Sequence, residues 1–265
     1  ASLGCGRCRN CRLGNYTACL NYGNLKRGHR ANGFTTNGGF AQYALNHINT
    51  VHKIPDSVEF NEAALITNLG CVLYGFQTTG GYVVGDNVAV IGPGPLGLVS
   101  VGVARALCAN KIFLSGTRDS RLEMGKKMGA DRLINVKNED AVQVVRDETN
   151  GIGADLVIES SGSDQGIQTA IEMSKRMGKI LLVGYPEKPV SANFSTMGSR
   201  NIHIYSIRGE GWANCSRAVS LLSQGRISLK QLATHSFPLD QIDEAFKTFV
   251  ERIGGAVKVI VHPNA

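Results

Sequence analysis

The sequence predicts an α/β fold, a doubly wound parallel sheet set between a loop-rich front segment and a short mixed tail. Three observations carry this. From residue 87 onward, short apolar runs alternate with helical stretches of about ten residues, as strand–helix–strand units do. The first of these runs ends in a glycine-rich turn, Gly92-Pro93-Gly94-Pro95-Leu96-Gly97. The chain also holds 32 glycines without a collagen period, which many tight strand–helix turns would require.

The elements follow in order. Residues 1 to about 30 are rich in Cys, Gly, Arg and Asn and carry no periodic pattern, so they read as a loop held by something other than a core. Residues 39–45 and 50–55 read as two short strands, and 61–80 as a helix with Asn61 as its N-cap and Glu62 in its first turn. Then come strand 88–91, helix 96–109, strand 111–115, helix 120–128 stopping at Gly129, strand 132–136, helix 139–149, strand 155–159, helix 165–177 and strands 180–184 and 202–207. The tail reads helix 214–224, strand 234–237, helix 239–252 and strand 257–261; it is too short for a separate domain and should pack on residues 1–68.

Composition bounds the function. With 43% hydrophobic and 18% charged residues the chain is a folded protein, not a disordered one, and no apolar run approaches a membrane span. The net charge of +7 could serve nucleic acid or an anionic cofactor. The basic residues are scattered, dense only from Lys26 to Arg30, which speaks against nucleic acid. Seven cysteines, an odd number without a secretion signal, argue against a disulfide framework and for a reducing cytoplasm. The chain opens on Ala1 just ahead of a cysteine cluster and reads as starting inside a longer protein.

Cys5, Cys8, Cys11 and Cys19 have the spacing C-x2-C-x2-C-x7-C. Thiolates this close together can supply all four tetrahedral zinc ligands from one loop, and four protein ligands leave no open position, so the site is structural. Arg7, Arg9 and Arg12 would help keep the thiolates ionised. A nucleic-acid zinc ribbon usually pairs two separated CxxC knuckles, which this chain lacks.

The glycine-rich turn fits GxGxxG in its required context, after a strand and at the start of a helix. Gly92 allows the tight turn, Gly94 lets the backbone approach a pyrophosphate, and Gly97 lets helix and strand pack closely. The helix start adds free N–H groups and partial positive charge for phosphates. The second strand of such a fold usually ends on an acid that binds the adenosine ribose of NAD. Here it ends Ser115-Gly116-Thr117-Arg118-Asp119. Gly116 leaves room, Thr117 can donate a hydrogen bond and Arg118 can pair with a phosphate, which suits the 2′-phosphate of NADP. Asp119 binding the ribose, with Arg118 in solvent, would suit NAD instead.

With these features in order, the chain resembles the zinc-dependent medium-chain dehydrogenase family, which includes alcohol, sorbitol and threonine dehydrogenases. Further markers are Gly38-Gly39-Phe40-Ala41-Gln42-Tyr43, Gly85-Asp86-Asn87-Val88, Arg121-Leu122, Gly129-Ala130-Asp131 and residues 239–246. The resemblance implies a Rossmann cofactor domain over 69–212, inserted in a partial GroES-like, β-rich catalytic domain made of 1–68 and 213–265. It implies a hydride transfer between a secondary alcohol, polyol or sugar-like substrate (or its ketone) and a nicotinamide. A catalytic zinc would polarise the alcohol oxygen in the complete protein. The family's ligands for that zinc precede the four-cysteine lobe, and a further position falls at Asn68, a poor zinc ligand. The resemblance also places Pro95, Leu96, Arg121, Ser160, Val183, Gly184 and Arg208 at the cofactor, and implies a homodimer or homotetramer. No residue of this chain is assigned a catalytic role: its six histidines are scattered, and Cys71 and Cys108 read as packing residues within helices. Trp212 reads as a packing residue at the exit from the cofactor domain. A non-catalytic nucleotide-binding protein with a structural zinc is the alternative.

Overall fold

The computed structural model describes residues 2–81 and 83–264, with the side chains of Ser2 and Trp212 outside that description. It divides into two compact units, one made of residues 1–71 and 208–265, the other of residues 72–207.

In the first unit, strand β1 (Ser2–Leu3) pairs antiparallel with β2 (Arg30–Ala31). Between them lie helix α1 (Arg9–Arg12) and two 3-10 turns, Tyr16–Ala18 and Leu25–Arg27. Buried Tyr16 anchors this loop, its hydroxyl donating to the Gly211 carbonyl at 2.8 Å. The two strands predicted over 39–55 do not form: the segment is irregular, with one 3-10 turn at Ile48–Thr50. A strand is a pairing, not a property of one segment. Among the described residues nothing pairs with this stretch, and Tyr43 and Leu45 stand 92% and 100% exposed.

The predicted helix 61–80 is two helices, α2 (Phe60–Ala63) and α3 (Ile66–Thr78). Fully buried Leu65 forms the junction: its N–H closes a short turn on the Glu62 carbonyl at 3.0 Å, and its own carbonyl accepts from Leu69 at 3.0 Å. Glu59, not Asn61, takes the N-cap position.

The second unit is a six-stranded, wholly parallel sheet. In chain order it holds β3 (Asn87–Ile91), α4 (Pro95–Ala106), β4 (Lys111–Gly116), α5 (Asp119–Lys127), β5 (Arg132–Asn135) and α6 (Ala141–Asp147). It continues with β6 (Ala154–Glu159), α7 (Asp164–Met173), β7 (Ser174–Leu182), α8 (Phe194–Arg200) and β8 (His203–Ser206). The spatial order β5-β4-β3-β6-β7-β8 reverses direction between β3 and β6, which sets a crevice at the strands' carboxyl ends. Alternate side chains feed opposite faces. Ala89, Ile91, Phe113, Ile134 and Val157 pack with Val145 of α6 and Ile167 and Ile171 of α7. On the other face Leu114 presses so closely on Gly125 of α5 that a Cβ there would meet it at 2.0 Å.

Three local differences have physical causes. Helix α4 ends at Ala106, and Cys108 takes the left-handed position (φ 59°) of a Schellman-type end, Ala109 N–H donating to the Ala104 carbonyl at 3.0 Å. Cys108 is therefore exposed rather than packed inside a helix. Helix α7 stops at Met173 because Ser174 already starts β7, a strand broken by a tight turn at Met177 (φ 58°). Helix α8, unpredicted, is capped by Asn193, whose side chain accepts from Thr196 N–H at 2.9 Å.

The tail returns to the first unit as α9 (Gly211–Ser223), β9 (Ala233–Pro238), α10 (Ile242–Glu251) and β10 (Lys258–His262). Strands β9 and β10 pair in parallel with α10 as their crossover. Buried Glu62 ties this tail to α2, accepting from Leu229 N–H at 2.6 Å and the Ser228 hydroxyl at 3.1 Å. Among the described residues no helix is long and apolar enough to cross a membrane.

Candidate functional site

The lobe between β1 and β2 gathers the four predicted thiols. The sulfurs of Cys5, Cys8, Cys11 and Cys19 all lie within 4.8 Å of one another. A tetrahedral zinc with bonds of about 2.3 Å sets its sulfurs roughly 3.8 Å apart, so small side-chain rotations suffice to close the site. Backbone amides already point at sulfur: Cys5 N–H and Asn21 N–H each donate to Cys19 Sγ at 3.4 Å, and Cys11 N–H donates to Cys8 Sγ at 3.5 Å. The Asn21 side chain donates to Cys5 Sγ at 3.1 Å and holds that thiol down to about 6. The amide of Cys11 likewise lowers Cys8, while burial pushes Cys11 up to about 12. Anion-stabilising donors around a cluster of thiols suit a bound dication, and the donor set fits zinc.

In the second unit the glycine-rich turn leaves β3 and opens α4, with Gly94 as N-cap and Pro95 in the first helical position. Its glycines differ in what surrounds them. Gly92 has φ 95°, a conformation suited to glycine. A Cβ on Gly97 would lie 2.0 Å from the Gly92 carbonyl oxygen, so only glycine lets helix and turn approach this closely. A Cβ on Gly94 would meet nothing within 4 Å. Open space therefore lies in front of the helix start, where the Leu96 and Gly97 amides have no intrahelical acceptor. That is the shape and polarity a pyrophosphate requires.

At the end of β4, Gly116 is small for a nearer reason than a cofactor. A Cβ there would strike the Pro93 ring at 2.4 Å. Beyond it Thr117, Arg118 and Asp119 are all exposed. The Asp119 carboxylate accepts from the Asn135 side chain at 2.7 Å, and Arg121 is half-buried in α5.

Ser160 sits after β6 beside the turn, its hydroxyl placed to donate to the carbonyls of Ile91 and Gly92, each at 2.7 Å. It braces the turn. Gly184, after buried Val183, packs on the same loop: a Cβ there would lie 2.5 Å from Gly162 N. Beneath them is a residue the sequence reading passed over. Glu159 is fully buried, and its carboxylate accepts from Ser161 N–H at 2.8 Å, from Gly162 N–H at 3.1 Å and from the Ser161 hydroxyl. The only sequence signal is an acid closing the apolar strand Asp155-Leu156-Val157-Ile158-Glu159.

Arg208 belongs to the first unit, where its guanidinium stacks 4.1 Å over the Tyr22 ring. Tyr22 in turn packs on buried His29, whose Nδ1 accepts from Gly23 N–H at 3.1 Å. Burial, with Arg208 nearby, holds that imidazole below the usual histidine range. Asn68 accepts from the Lys258 ammonium at 3.4 Å, and burial lowers Lys258 from the ordinary lysine range. A neutral amide beside an ammonium does not make a metal site. Among the described residues the four cysteines form the only group of three or more potential metal ligands brought together.

A parallel sheet with a dinucleotide-type turn, joined in one chain to a four-thiolate lobe, defines a zinc-binding dehydrogenase. The family model "Alcohol dehydrogenase GroES-like domain" matches residues 1–56, and "Zinc-binding dehydrogenase" matches residues 95–224. The chain belongs to the zinc-dependent medium-chain dehydrogenase family and is an alcohol-dehydrogenase type of enzyme. It is 31% identical to the sorbitol dehydrogenase of Bacillus subtilis over 262 residues, covering 98% of this chain and 72% of that one. It is 34% identical to the L-threonine 3-dehydrogenase of Pyrococcus abyssi over 263 residues, covering 97% and 71% respectively. Among solved structures, the alcohol dehydrogenase TADH from Thermus sp. ATN1 superposes with a TM-score of 0.87 at 27% identity, covering 98% of this chain and 75% of that one.

Proposed function

We propose that this chain binds a nicotinamide dinucleotide at the turn Gly92–Gly97, NADP in preference to NAD, and serves hydride transfer to and from a secondary alcohol, polyol or sugar-like substrate. The observation that carries the reading is the contrast between Gly97, wedged against backbone, and Gly94, facing open space at a helix start. The open helix start receives the pyrophosphate, with the Leu96 and Gly97 amides as donors and Pro95 fixing the helix direction. Ser160 and Glu159 hold the loop after β6 against the turn, and Val183 and Gly184 shape the neighbouring wall. Thr117 and Arg118, exposed at the end of β4, meet the 2′-phosphate, while Asp119 is engaged by Asn135. Arg121 and Arg208 complete the proposed cofactor residues. When bound, the nicotinamide supplies the hydride acceptor, and these residues supply position and charge.

The zinc held by Cys5, Cys8, Cys11 and Cys19 has a structural role, since its four ligands leave no position for substrate. No step is assigned to a second metal, whose ligands are not gathered among the described residues. The alternative reading is dinucleotide binding without turnover by this chain. The odd cysteine count supports a reducing, cytoplasmic setting, and family resemblance supports a homodimer or homotetramer, with β8 as an edge of the sheet.

Titration of NADPH and NADH, followed by nicotinamide fluorescence, tests the reading. Tighter NADPH is the expected result. Tighter NADH would reverse the roles of Arg118 and Asp119, and failure of both to bind would refute the cradle. Turnover against a panel of alcohols separates the two readings.

A further inference from the structure

Away from the proposed cradle, at the amino ends of β6 and β7, four cations converge on one cleft of about 460 Å³: Arg146 in the last turn of α6, Lys175 and Arg176 at the start of β7, and Arg200 at the end of α8. Lys175 is paired with Asp155. The three arginines are not paired with any carboxylate among the described residues. Arg146 donates to the carbonyls of Glu172 (2.6 Å) and Gly151 (3.4 Å), Arg200 to that of Glu172 (3.1 Å) and Arg176 to that of Ser199 (3.0 Å). The carboxylate of Glu172, whose carbonyl Arg146 and Arg200 share, accepts from Gln168 at 2.8 Å.

Capping of helix ends accounts for part of this. Glu172 and Ser199 lie in the last turns of α7 and α8, where exposed carbonyls attract cations. It does not account for two full charges on one carbonyl oxygen. Because Arg146 and Arg200 share that atom, their donating nitrogens lie within about 6 Å of each other, so two like charges meet at one oxygen. Each guanidinium has five N–H donors and spends only one or two here, which leaves donors for a further partner. The carbonyl bonds hold the three groups at the cleft, and a guanidinium's planar fork of donors suits an oxyanion better than a point charge.

We propose that this cleft is a second anion site, one that takes a small phosphate-bearing anion of two or more charges between Arg146, Arg176 and Arg200. The site is independent of the dinucleotide reading, since it shares no residue with the proposed cradle. The probe is inorganic pyrophosphate, titrated calorimetrically into the purified chain in low-salt chloride buffer. Arg176→Gln and Arg200→Gln should each weaken binding by about tenfold or more, while NADPH titration stays as in wild type. Pyrophosphate could also enter the glycine-rich turn, and the two variants separate the sites. No binding to wild type, or unchanged affinity in both variants, overturns the proposal. Thermal unfolding without pyrophosphate gives a second test. If Arg146 and Arg200 repel each other while awaiting an anion, Arg200→Gln melts at or above the wild-type temperature. A marked fall would show that Arg200 serves only as a helix-end cap, and would overturn the proposal as well.

Discussion

The two glycines of the cradle should separate stability from binding. In Gly97→Ala the new methyl would stand 2.0 Å from the Gly92 carbonyl oxygen and 2.6 Å from Ser160 Oγ. Neither the backbone oxygen nor the hydroxyl, which donates to the carbonyls of Ile91 and Gly92, can yield freely. The start of α4 must move away from β3 by about 1 Å to restore ordinary contact. Overpacking of this kind costs about 1–3 kcal/mol, and for a chain of this length that lowers Tm by about 3–10 °C. Gly94→Ala meets nothing within 4 Å and its φ of −80° suits alanine. Its stability loss is confined to the N-cap preference, about 1 kcal/mol or less. The methyl would nevertheless fill the space assigned to the pyrophosphate, and dinucleotide affinity should fall by about tenfold or more. Thermal melts and fluorescence titration of both variants are the assay. If Gly94→Ala binds NADPH and NADH as wild type does, the open space is not the cofactor's. If Gly97→Ala melts like wild type, the close approach does not hold the fold.

Other outcomes follow from single contacts. Ser160→Ala strips a donor from the carbonyls of Ile91 and Gly92 and should cost about 1–3 kcal/mol, read by denaturant unfolding; an unchanged midpoint would refute the brace. Lys258 is depressed by burial, so the unfolded chain binds the proton more readily, and this residue costs stability below the ordinary lysine range and less as pH rises toward it. Lys258→Met should therefore melt higher than wild type at neutral pH and lose that advantage in strong base. Glu148 is held below its usual value first by Lys111 at 2.7 Å and then by Arg132. Its contribution is complete above the ordinary carboxylate value of 4.5 and is lost as pH falls through the lower folded value, so Glu148→Gln should flatten the acid limb of a Tm-against-pH curve. Cys8→Ser should abolish the bound zinc detected by atomic absorption, and a full complement of metal in that variant would refute the four-thiolate site.

What the sequence made legible depended on how local the cause was. Strands β3, β4 and β6 stand out because both faces are buried, so runs such as Val88-Ala89-Val90-Ile91 are continuously apolar. The turn at Gly92–Gly97 is readable because its chemistry lies within six residues, and the cysteine lobe because its ligands are close in sequence. Helix α8 escaped notice because it buries no residue and so has no apolar stripe, although Asn193 marked its start. Segment 39–55 misled because alternation suggests a strand but cannot supply its partner. Gly116 shows a subtler gap. Its smallness is visible in the sequence, but the Pro93 ring that requires it is 23 positions away and becomes a neighbour only when β3 and β4 pair. Glu159 was hidden for a related reason, since its amide partners take their places only once the following loop has folded back over it.

The division of the chain has a consequence for its synthesis. Residues 72–207 are one uninterrupted stretch, whereas their companion unit is assembled from two stretches far apart in sequence. During translation the parallel sheet has all its strands once residue 207 has left the ribosome. The two-stretch unit cannot close until β10 arrives, because β9 has no parallel partner before then. Through that interval the four thiols near the amino end are already in solution while the tail that packs with their unit is still being made. Their spacing lets a metal ion be captured from a single short loop, so the lobe can set early and wait for the rest. Metal supply during synthesis would then govern yield more than metal supply afterwards.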